Sequence, residues 1–151
     1  LTEPTARQFG VDNRLDAAQS LRGGARYLKD IVRRLPQRIQ EPDRTWMALA
    51  AYNIGLAHLE DARVLTQRQG GDPNLWQDVM QRLPLLQKTE YFKDTRHGYA
   101  RGVEALTLVQ NVRHYRSILA LQEIPDQQPL PPIRAEDYLP AVLRGIDLLA
   151  L

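Results

Sequence analysis

The chain has 151 residues, 43% of them apolar and 25% charged, which is the size and balance of one globular domain able to bury its own core. Its 20 Lys and Arg against 18 Asp and Glu leave +2, with the signs interspersed, so no nucleic-acid footprint is present and no nucleic-acid partner is expected. The absence of cysteine excludes disulfides, Cys-ligated zinc and a thiol nucleophile, while the redox compartment stays open.

The first residues, Leu1-Thr2-Glu3-Pro4-Thr5-Ala6, open without an initiator Met and with a turn already under way, so an upstream part is expected. Apolar residues at Leu15, Ala18, Leu21, Ala25, Leu28, Ile31 and Leu35 recur at three- and four-residue steps and predict an amphipathic helix. Asn13 is its expected cap, with Asp16 three residues on; Lys29, Arg33 and Arg34 suit its C-terminal dipole, and Pro36 stops it. Gly23 and Gly24 inside this helix together cost about 2 kcal/mol relative to alanines, which predicts close approach of a crossing helix.

Pro42-Asp43 opens a second helix through Trp46, Leu49, Ala50 and Tyr52, apolar around enough of its circumference to be the central one, and Gly55 breaks or bends it. A helical pattern resumes through Leu56, Leu59, Ala62 and Leu65 and ends in the loop Gln69-Gly70-Gly71-Asp72-Pro73. Leu75 to Leu83 predicts a short helix before Pro84, and a mixed segment from Thr89 to Gly98 leads to a long core helix from Val103 to Leu119. No strand is predicted, and the fold class is mostly α. A proline-rich linker over residues 124–134 and a helical tail over 135–151 follow a domain at 1–123. No run reaches the ~20 apolar residues of a membrane span.

Few residues carry a chemical signal. His58, His97 and His114 are isolated from one another in sequence and stand in no metal-ligand spacing, and neither a phosphate loop nor a nucleophile elbow occurs. No metal or cofactor is expected. Glycoside cleavage normally uses two carboxylates, and no such pair stands out. Glu60 and Asp61 with Arg63 look like a solvated face, and Glu104 reads as an ion pair with Arg101 or a cross-helix Arg, with a cleft role as the alternative. Tyr52 and Asn53, at the junction of a helix and a glycine, combine a flat apolar ring, a hydroxyl and an amide, the groups that sugar C–H faces and hydroxyls require. Packing plus a helix cap is the other account of them. Tyr99 lies between Arg96-His97-Gly98 and Ala100-Arg101-Gly102, a polar, glycine-bracketed mouth of a helix.

Taken in order, Leu1-Thr2, Thr5-Ala6, Gly10-Val11, the segment from Ser20 to Leu28, AYNIG at 51–55, Gln81-Arg82-Leu83-Pro84, GYARGVEA at 98–105 and NVRHY at 111–115 resemble the lytic transglycosylases. The likeness runs from Leu1 to about Leu121. It implies a lysozyme-like, goose-type helical domain that cleaves the β-1,4 bond between N-acetylmuramic acid and N-acetylglucosamine of peptidoglycan without water, leaving 1,6-anhydromuramoyl ends. Peptidoglycan strands and muropeptides are the implied partners, together with an upstream regulatory module like a solute-binding protein. The implied location is the periplasm, at the outer membrane of a Gram-negative bacterium.

Residue by residue, Tyr52 and Asn53 match the family's Ala-Tyr-Asn motif, Leu1 and Thr2 the end of its Gly-Leu-Met motif, and Tyr99, Arg101 and Glu104 its last cleft motif. The family's catalytic glutamate precedes the Gly-Leu-Met motif, so it is expected upstream of Leu1, with no catalytic residue in this chain. Leu108 stands where the family often has a tyrosine. Two rivals remain at this stage, a noncatalytic glycan-binding module and a helical interaction protein.

Overall fold

The computed structural model describes residues 2–122, and its internal contacts divide the chain into one unit at Leu1–His114 and a second from Tyr115. The described residues are helical, with no strand among them: α1 Glu3–Gln8, α2 Ala17–Arg34, α3 Asp43–Ile54, α4 Leu56–Arg68, α5 Trp76–Val79, a 3₁₀ helix at Leu83–Gln87, α6 Thr89–Phe92 and α7 Gly102–Gln122. The expected linker at 124–134 and tail at 135–151 lie outside the described residues.

The central helix is α3, as its composition predicts. It packs against α2 on one side and α4 on another, and Trp46, Met47, Ala48, Ala50 and Ala51 are buried. Ile31, Leu59, Val79, Leu83, Leu86 and Val109 from the surrounding elements complete the core. Each such aliphatic side chain contributes on the order of 1.5–3 kcal/mol by leaving water.

The start of α2 differs from expectation. Asp16 is its cap, its carboxylate accepting from the Gln19 N–H at 2.9 Å, while Asn13 forms a turn of its own with the Leu15 N–H. Because the helix begins only at Ala17, Leu15 falls in that turn and is 94% exposed, and Leu21 is also largely exposed. The residues before α2 hold a short helix, α1, with Pro4 in its first turn, where no N–H partner is lost.

Two glycines set helix positions by close contact. A Cβ on Gly24 would lie 2.9 Å from the Tyr52 hydroxyl of α3, the close approach that the paired glycines predict. A Cβ on Gly102 would lie 1.7 Å from the backbone oxygen of Leu83, so only glycine lets α7 start against the 3₁₀ helix.

The turn between α2 and α3 is tied by one cation. Arg44 donates to the carbonyls of Val32 and Leu35, both at 2.8 Å, of Pro36 at 2.9 Å and of Ile39 at 3.3 Å. The C-terminal carbonyls of a helix lack intrahelical donors, and a half-buried guanidinium satisfies several of them at once.

Gly102→Ala should destabilise the chain by about 3 kcal/mol, because rigid backbone faces the new methyl. In Gly24→Ala the displaced group is a side-chain tip and the helix gains about 1 kcal/mol of propensity, so its unfolding free energy from urea titration should stay within about 1 kcal/mol of wild type. Equal losses in the two variants would contradict the packing described. Arg44→Met should cost about 2–3 kcal/mol in the same measurement, with Arg44→Lys recovering less than half of it, since one ammonium cannot span four carbonyls.

Candidate functional site

The junction of α3 and α4 is made by Gly55. Its backbone (φ 89°, ψ 151°) is accessible to glycine alone among common residues, and its N–H closes α3 on the Ala51 carbonyl at 2.7 Å. The cap is therefore Gly55 and not Asn53, whose side chain in the last turn of α3 is left exposed. His58 follows in the first turn of α4.

A second wall comes from residues about 45 positions later. Gly98 adopts φ 76°, the Ala100 N–H donates to the Leu86 carbonyl at 3.1 Å, and Gly102 begins α7. Tyr99 stands between these anchors, half exposed, with its ring edge-on to Phe92 at 5.8 Å. Glu104 lies in the first turn of α7, where a carboxylate suits the helix dipole, and meets Arg101 at 3.4 Å. That is the ion pair expected from the sequence; it is solvated on both sides and of small energetic worth.

Between the walls lies an open polar depression of about 380 Å³, lined by Asn53, Ile54, His58, Tyr99, Ala100, Arg101 and Glu104. Four of the residues singled out in the sequence, Asn53, Tyr99, Arg101 and Glu104, thus meet in one place. Tyr52 does not join them. It lines a separate hollow of about 300 Å³ with Ser20, Leu21, Leu28, Leu49, Leu108 and Val112, apolar in character. Its ring packs on Tyr27 at 5.2 Å, and Tyr27 in turn on Phe9 at 5.3 Å. Burial pushes the Tyr27 phenol above its ordinary pKa, with the Arg34 charge opposing. Thr2 lines neither hollow; it is exposed at the start of α1, its hydroxyl 2.8 Å from that of Thr5. Leu1 lies outside the described residues.

The segment Glu60-Asp61-Ala62-Arg63 corrects the expectation of a solvated face. Glu60 is exposed, but the side chains of Asp61 and Arg63 are only 5% and 2% exposed. Arg63 donates to the Pro73 carbonyl and to Asn74 and pairs with Glu60, which holds the loop after α4. Asp61 accepts from the backbone N–H groups of Arg96 at 3.2 Å and His97 at 2.9 Å, and lies 3.1 Å from the His97 ring. His58 Nδ1 is 3.9 Å from the same carboxylate. His58 and His97, isolated in sequence, are edge-on neighbours at 6.1 Å. No group of His, Asp and Glu among the described residues is arranged to hold a metal. The i, i+3 spacing of His58 and Asp61 on one helix face was the available signal for this cluster.

The family described as Transglycosylase SLT domain matches residues 2–74, which include α1 to α4 and the Tyr52-Asn53 pair. Similar proteins include the membrane-bound lytic murein transglycosylase F of Saccharophagus degradans, 61% identical over 128 residues that make up 85% of this chain and 26% of that protein. The protein of the same description from Alteromonas mediterranea is 56% identical over 82% of this chain and 27% of its own length. That of Vibrio vulnificus is 47% identical over 93% of this chain and 28% of its own length. The chain thus spans about a quarter of the length of these curated relatives. Described residues that are helical without a strand, a matching SLT domain and these identities agree with one another: the chain belongs to the transglycosylase SLT domain family and has its lysozyme-like helical fold.

Proposed function

We propose that this chain forms the glycan-holding part of a murein lytic transglycosylase, and that the polar cleft between Asn53 and Arg101 receives the peptidoglycan strand. The observation that carries the reading is the convergence of Asn53, Tyr99, Arg101 and Glu104 on one open depression, in a chain that belongs to this family. An amide with donors and an acceptor, a phenol, and a guanidinium that only donates suit a ligand dense in hydroxyls and acetamido groups. Tyr52, in the apolar hollow, contributes a ring face and a hydroxyl to the same strand.

In this reading one glutamic acid performs both proton transfers. It protonates the glycosidic oxygen as the C1–O bond breaks, and the freed N-acetylglucosamine leaves with its 4-hydroxyl. The C6 hydroxyl of the same muramic acid bonds to C1 and returns its proton to the carboxylate, so no water is consumed and a 1,6-anhydro end forms. A nucleophile tethered to the substrate gains the advantage of proximity and replaces the second carboxylate of a hydrolase. Glu104 is the carboxylate lining the polar cleft, and it is exposed and paired with Arg101, which is not the setting of a desolvated proton donor. The family resemblance, by its motif order, implies that the acid lies in sequence preceding Leu1, and we propose it there.

The wider setting is proposed on the same basis. The module lies within residues 1–123, and an upstream solute-binding-like module regulates the enzyme. The relatives are named membrane-bound, and no described helix here is long and apolar enough to cross a membrane. A periplasmic enzyme held at the outer membrane by parts outside this chain accommodates both.

Sacculi digested with the chain joined to its upstream sequence should release anhydro-muropeptides, read by mass spectrometry, whereas the chain alone should bind murein without cutting it. Products ending only in reducing muramic acid would sink the proposal. Asn53→Ala should weaken murein binding about tenfold, roughly 1.4 kcal/mol, while its unfolding free energy from urea titration moves by less than about 0.5 kcal/mol because the side chain is exposed. Tyr52→Phe should keep the packing on Tyr27 and lower turnover; unchanged turnover in both variants would place the substrate elsewhere.

A further inference from the structure

The buried carboxylate of Asp61 has one acceptor position to spare, and a buried ring nitrogen stands next to it. An ionised carboxylate accepts about four hydrogen bonds and donates none. Three come from the N–H groups of Arg96 and His97 and from the His97 ring. His58 Nδ1 is buried without a hydrogen-bond partner, 3.9 Å from Asp61 Oδ2. A proton on Nδ1 makes this pairing attractive, whereas a lone pair there would face the carboxylate. A neutral ring with its proton on Nδ1 carries its lone pair on Nε2.

The His58 ring also lines the polar cleft and keeps 25% of its side-chain surface exposed. Since Nδ1 is buried, that exposure belongs to the rest of the side chain. We propose that His58 is a further glycan-contacting residue of this cleft, accepting a sugar hydroxyl or acetamido N–H at Nε2, and that Asp61 is the residue that positions it. The inference rests on the reading of the cleft as a glycan site, and it adds an imidazole acceptor to the amide oxygen of Asn53 and the phenol oxygen of Tyr99. Arg101 only donates and Glu104 is engaged by it, so an uncharged acceptor complements the donors already present.

The test uses the 15N-labelled 151-residue chain and the GlcNAc–MurNAc tetrasaccharide at pH about 8, above the ordinary histidine range. Long-range 1H–15N spectra of the imidazoles, assigned with His58→Gln, should show His58 with its proton on Nδ1. Added tetrasaccharide should shift its Nε2 resonance together with the Asn53 side-chain amide. Asp61→Asn should abolish the tautomer preference, and His58→Ala should weaken binding about fivefold, with His58→Gln, which keeps an acceptor, recovering part of it. A proton found on Nε2, or an Nε2 resonance that stays still while the Asn53 amide moves, would overturn the inference and leave the cleft reading intact. If neither residue responds to the sugar, the cleft reading falls and this inference with it.

Discussion

The width of the polar cleft depends on one buried carboxylate. Asp61 sits on α4 one turn after His58, in the helix that forms the first wall, and its acceptor oxygens hold the backbone at Arg96 and His97, from which the second wall rises. Desolvating a charge is costly unless hydrogen-bond donors surround it, and here two N–H groups and an imidazole fill three of its acceptor positions. Apolar packing alone would join the same segments without direction. Hydrogen bonds fix both distance and orientation, which a binding cleft requires and a core does not.

The remaining elements act by holding α4 and the 96–104 segment in place. Gly24 lets α2 cross close to α3, Arg44 locks the turn between them, and α3 passes through Gly55 into α4. On the other side, the contact of Gly102 with Leu83 sets where α7 begins, and the bond from Ala100 to Leu86 fixes the residue just before it. The Gly102 and Ala100 contacts are backbone with backbone, that of Arg44 is a cation on carbonyls, and that of Gly24 is with the Tyr52 side chain. Asn53 and Arg101 are therefore carried by rigid elements, with glycine supplying the turns between them.

Much of this was legible in the sequence, and the failures have identifiable causes. Three- and four-residue spacing located α2, α3, α4 and α7, and the paired glycines in α2 marked the crossing with α3. The helix start was misplaced because Asn13 and Asp16 both look like caps, and only the geometry shows that the first serves its own turn. Asp61 was unreadable because a run of Glu, Asp and Arg on a helix is ordinarily solvent-facing, and its donors lie 35 and 36 residues away. Nothing local distinguishes a carboxylate that will meet two backbone N–H groups from one that will meet water.

The separation of Tyr52 from Asn53 was, by contrast, derivable. Neighbours on a helix point about 100° apart, so adjacent members of one motif open on different hollows, the tyrosine on an apolar one and the asparagine on a polar one. The same geometry accounts for Leu108. Where the family resemblance implies a tyrosine, this chain places leucine on α7 facing the hollow that Leu28, Leu49 and Val112 already make apolar. Tyr52 remains the phenol of that hollow, lodged against the bare backbone of Gly24. Its position thus depends on a glycine 28 residues earlier as much as on its own motif.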